Sequence, residues 1–168
     1  ISSNQGVAEM HSIVFSEITI PWEPDLMEKW MKEFYAKWMS IPYKKDRKEY
    51  KEHPENFGTS MLGIDEDEFD HLNQTLDMPV SKNDFLAGKV CIVYRNGVEL
   101  ADKDLIGKTV TCTLYRNLKK SKSFTVSGVT DDSYYTALLG YPPTLIVSDQ
   151  VVKAFDAKAF ILKTGIRY

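Results

Sequence analysis

MLGIDEDEFDHLNQTLDMPVSKNDFLAGKVCIVYRNGVELADKDLIGKTVTCTLYRNLKKSKSFTVSGV, residues 61 to 129, is the stretch whose reading decides the fold. Three short apolar runs lie in it: Lys89 to Tyr94, Thr109 to Tyr115 and Phe124 to Val129. Each is rich in Val, Ile, Thr and Tyr, with Gly or Asn–Gly in the gaps, so each is expected to be a strand. In the middle run Val110, Cys112 and Leu114 share one face and Thr109, Thr111 and Thr113 the other, the pattern of a half-buried antiparallel strand. Nothing here is a catalytic constellation.

The order of the pieces carries further information. Gly63-Ile64-Asp65 ends a strand and is followed by an acidic turn anchored by Phe69. Gly88 to Val93 then forms a strand, Ile106-Gly107-Lys108 a turn, and Phe124-Thr125-Val126-Ser127-Gly128-Val129 another strand. This succession resembles the extracytoplasmic core domain of FtsX-like, MacB-related ABC-transporter permeases, and Pro143 to Val147 extends the likeness. The N-terminal 60 residues match it only loosely. The resemblance implies a non-catalytic domain on the outer face of a bacterial cell membrane, between the first two transmembrane helices of a permease. It also implies indirect coupling to a cytoplasmic ABC ATPase subunit, and an extracellular protein or peptide substrate. Because the chain opens on Ile1 rather than Met, the flanking transmembrane helices are expected to have been cut away.

Composition narrows the classes independently. An apolar fraction of 43% supports a packed interior and argues against disorder. A net charge of −3 argues against a nucleic-acid partner, which calls for a basic excess. No apolar run approaches the length needed to span a bilayer.

Outside the central stretch, Ala8 to Ile20 reads as a strand apolar on both sides and so central in a sheet. The segment Leu26 to Met39 reads as a helix entered at Asp25, with Glu28 completing a capping-box-like pair. Its large apolar side chains spread over about 220° of the helix surface, wider than an ordinary one-sided stripe. Two readings stay open: a helix sandwiched between other elements, or one whose aromatic face meets a partner or the membrane border. The second makes Trp30, Phe34, Trp38 and Tyr43 candidate contact residues. Tyr43 to Phe57 reads as a solvated loop or a short helix broken by Pro54, and Gly58 to Ile64 as a strand. Thr144 to Val147 reads as a buried strand, Ser148 as a helix cap, and Phe160 to Leu162 as the start of a last strand.

The fold expected is α+β with two lobes. Residues 1–62 and 130–168 form a mixed-sheet lobe with packed helices, and residues 63–129 an inserted, mostly β lobe.

Chemical motifs are sparse. The acidic run from Asp65 to Asp70 lacks the glycine and distal glutamate of a calcium loop and suits a helix start. His11, His53 and His71 are scattered, so no metal site is expected. No Gly-x-Ser-x-Gly elbow occurs, and Gly107-Lys108-Thr109 has Asp102 where a phosphate-binding loop requires glycine. No catalytic residue and no cofactor are therefore expected. Cys91 and Cys112 allow two readings, buried thiols or a cross-strand disulfide. The competing function is a free-standing extracellular module for a peptide or sugar, which predicts a concave aromatic-lined pocket. A small secreted hydrolase lacks any nucleophile–base pair.

Overall fold

The computed structural model describes residues 9–39, 43–137 and 143–167, without the side chains of Glu9, Trp38, Met39 and Arg167. It is an α+β fold on one mixed sheet. The strands are β1 (Glu9–Thr19), β2 (Gly58–Ile64), β3 (Val90–Tyr94), β4 (Thr109–Leu114), β5 (Asn117–Thr130), β6 (Thr144–Ser148) and β7 (Phe160–Arg167). The helices are α1 (Pro24–Phe34), α2 (Lys44–Glu52), α3 (Glu66–Thr75), α4 (Lys82–Leu86), α5 (Asp102–Leu105) and α6 (Asp149–Phe155).

Strand order is β2-β6-β3-β5-β4-β1-β7, and β1 also pairs with β2, so six strands close on themselves with β7 outside the ring. Closure rests on the length of β1. Val14 to Thr19 pair with β2 along one edge, while the other edge takes β7 opposite Glu9 to Phe15 and β4 opposite Ile18 and Thr19. β2–β6 and β3–β5 are the parallel pairs. The segment between β2 and β6, which pair directly, contributes β3, β4 and β5 to the same sheet as the outer strands.

Each face of the sheet carries its own apolar cluster. One joins Ile18, Met61, Val93, Cys112, Phe124 and Val147 to Trp30 and Met31 of α1 and Phe155 of α6. The other packs Leu62, Ile92 and Ile146 against Phe69 of α3 and Phe85 of α4, whose rings stack 4.3 Å apart. β4 alternates as expected, with Val110, Cys112 and Leu114 buried.

Three local expectations are corrected. α1 begins at Pro24 with Glu23 before it and no side-chain cap, because proline at the first helical position removes a donor that would otherwise be orphaned. The helix continues past Phe34 as one π-helical turn, Tyr35–Met39, rather than as α-helix to Met39. Ser148 stands at the start of α6, but its side chain makes no capping bond. Asp65, by contrast, caps α3 by accepting the Glu68 N–H at 2.8 Å.

Candidate functional site

The candidate surface is built on α1, the π-turn after it and α2. Trp30 is fully buried and stacks on the half-buried Phe34 at 4.6 Å between ring centroids. Trp30 is therefore a core side chain, which corrects its reading as a contact residue. The reason is the sheet behind it, whose apolar face needs a large side chain there. Tyr43 is half-buried, and the side chain of Trp38 lies outside the described residues.

Hydrogen bonds from side chains tie this surface down. The buried Tyr50 hydroxyl accepts the Trp22 N–H at 2.7 Å and donates to the Ile20 carbonyl at 2.8 Å, joining α2 to the end of β1. Burial pushes its pKa above the ordinary phenolic value, against the lowering effect of the Trp22 N–H. Tyr35 donates to Asp46, and Arg47 reaches Glu28 at 2.6 Å, so α1 and α2 are held together. On the other flank Glu33 accepts the Glu99 N–H at 2.8 Å, and Lys37 donates to the Gly97 carbonyl at 2.7 Å.

Beside this flank lies a cleft of about 440 Å³ lined by Lys29, Lys37, Arg95, Val98, Glu99 and Asp131, among others. No aromatic ring lines it. Arg95 is committed to Asp131 and Asp102, and the Asp131 bond, ahead of the other contacts, holds its pKa above the ordinary value. The concave aromatic pocket of a free-standing ligand-binding module does not occur at this cleft.

A second polar group went unread in the sequence. His11 on β1 is buried with Nδ1 3.1 Å from Asp65, and the buried Tyr135 hydroxyl donates to Glu68 at 2.6 Å. These four residues come from three distant parts of the chain, so no spacing could announce them. Among the described residues, no cluster of three His, Cys, Asp or Glu side chains could hold a metal ion. No helix there is long and apolar enough to cross a membrane.

Cys91 and Cys112 are free, buried thiols. β5 lies between their strands, and they sit opposite Val126 and Lys122 respectively. Two strand spacings, about 9.6 Å, exceed the reach of a disulfide, which rules out the cross-strand bond. Burial raises both thiol pKa values, that of Cys112 to about 12.

One more geometric fact concerns the chain ends. Glu9 and Arg167 are antiparallel partners, so the first and last described residues lie side by side. The cross-strand neighbours Met10 and Ile166 are 70% and 52% exposed there, apolar side chains facing outward beside that pair.

No protein-family model matches the chain, and no curated protein does. Among solved structures, it is similar to the extracellular domain of the noncanonic ABC-type transporter YknZ from Gram-positive bacteria, at 14% identity and a TM-score of 0.49. It is also similar to the periplasmic region of MacB from Actinobacillus actinomycetemcomitans, at 13% identity and a TM-score of 0.45. These alignments cover 99% and 97% of this chain but 67% and 58% of the two others.

Proposed function

We propose that the chain is the extracytoplasmic domain of an ABC-transporter permease, without catalytic activity. In this reading it couples cytoplasmic ATP hydrolysis to export, or to a partner protein outside the membrane. The observation that carries it is the pairing of Glu9 with Arg167. A domain inserted between two membrane helices must send both ends back to one small patch of bilayer, and antiparallel partners lie only about 5 Å apart. The segments that carry the sequence resemblance add support, since they supply β2, β6, β3, β5 and the turn into β4, consecutive strands of the sheet.

The work of such a domain is mechanical. A shift of the membrane helices is passed outward by a body stiff enough not to absorb it. Closure of six strands through β1 supplies that stiffness. Within the same proposal residues 63–129 are the inserted lobe. The partner surface is Phe34, Trp38 and Tyr43 with the adjoining 43–57 segment.

The parent gene tests this reading. An apolar run of about 20 residues on each side of the segment is expected. Water-soluble sequence on both flanks, or turnover by the purified domain, would overturn it.

A further inference from the structure

The near half of β5 has an open edge. β3 begins to pair with β5 only at Val90 opposite Thr125, so residues 121–123 have a strand neighbour, β4, on one side alone. The Thr125 N–H points away from β4, to the Lys89 carbonyl at 2.9 Å. Strand alternation then carries the main-chain groups of Ser123 and Ser121 to the same open edge. Among the described residues nothing hydrogen-bonds them there.

A cleft of about 470 Å³ lies between that edge and α6, lined by Ser121 on the strand, by Val151, Ala154 and Phe155 of α6, and by Leu86 of α4. Lys120 and Lys122 line the same cleft, their ammonium groups 5.7 Å from the Phe155 ring and 5.4 Å from the Phe124 ring. Neither lysine, nor the neighbouring Lys119, has a carboxylate within ion-pair distance among the described residues, whereas Lys153 is taken up by Asp149 at 2.7 Å. In a chain of net charge −3 this is a local basic excess over an apolar floor.

We propose that this edge and cleft receive an extended acidic peptide segment carrying a large apolar side chain. Its backbone pairs with Ser121 and Ser123 as an added strand, its carboxylates meet Lys120 and Lys122, and its apolar side chain fills the space against Ala154 and Phe155. Unpaired main-chain donors and acceptors on a strand edge favour a peptide over a lipid surface, which offers no complementary ladder. The inference does not depend on the permease reading, because it uses only this surface.

The test uses the full chain and a fluorescein-labelled acidic peptide with leucine–phenylalanine at its centre, alongside a control of equal charge with serine–serine there. Fluorescence anisotropy is expected to show tighter binding of the first peptide, weakened about tenfold by the double change Lys120→Glu and Lys122→Glu. Ala154→Gln, at an exposed position, is expected to abolish the preference for leucine–phenylalanine without loss of fold. Lys103→Glu, at an exposed position on α5, should leave binding unchanged. Amide exchange at Ser121 and Ser123 should slow when the peptide binds. Equal binding of the two peptides, unprotected amides, or a preference for phosphatidylglycerol vesicles over the peptide would each overturn the proposal.

Discussion

Asp156 is the residue at which β1, the end of α6 and the β4–β5 connection are fastened together. It is buried, accepts from Ser16 at 2.7 Å and from the Lys158 N–H at 2.9 Å, and pairs with Arg116. Burial alone raises a carboxyl pKa, but the Ser16, Lys158 and Arg116 contacts outweigh it and hold Asp156 below its ordinary value. A depressed folded-state pKa gives stability that is present above the unfolded value of about 3.9 and is lost as pH falls through the folded one. Asp156→Asn is expected to lower stability by about 1.5–3 kcal/mol near neutral pH, the range for hydrogen bonds to a charged group. The gap between variant and parent should narrow below about pH 4, as urea unfolding over a pH series will read. A gap constant with pH would assign the effect to packing rather than charge. Residue-level chemistry of this kind was not legible beforehand, because Ser16, Arg116 and Asp156 are distant in sequence and individually unremarkable.

At the scale of elements, α1 shows how periodicity stops short of a decision. The apolar residues from Leu26 onward were visible as a broad helical face, and the structure does bury Leu26, Met27, Trp30 and Met31. Which part of that face meets the sheet depends on what lies opposite, and that is set by Met61, Val93 and Phe124 from other strands. Trp30→Ala is expected to cost about 3–5 kcal/mol in chemical denaturation, the range for removing a large aromatic from a packed core. A loss below about 1 kcal/mol would return Trp30 to the list of surface residues. The close approach of β2 to α6 is also an element-scale fact. A Cβ at Gly63 would lie 2.7 Å from the Asp149 Cα, so the glycine of the Gly63-Ile64-Asp65 motif serves packing there.

For the whole molecule the consequential feature is a ring of six strands whose long first member sits beside the last strand. Met10 and Ile166 are direct cross-strand neighbours, both exposed, within the Cα separation that a disulfide accepts. The double change Met10→Cys and Ile166→Cys is expected to form a disulfide under mild oxidation without loss of the native fold, as non-reducing electrophoresis and thermal unfolding will show. Failure of the pair to oxidise in the folded protein would mean that β1 and β7 are not paired in this register, and the permease reading would lose its main support.

Taken by itself, the sequence determined the class of the fold and most of its elements: the strand over Gly58 to Ile64, the alternation of β4, the acidic start of α3 and the buried run of β6. These are local properties, written in side-chain spacing, turn residues and caps. Tertiary structure alone decided that β1 pairs on both edges and closes the sheet, that β5 separates the two cysteines, that Trp30 faces inward, and that half of β5 is left with an open edge. The physical reason is that spacing specifies which residues share a face, whereas the partner each face or edge finds depends on contacts made across the length of the chain.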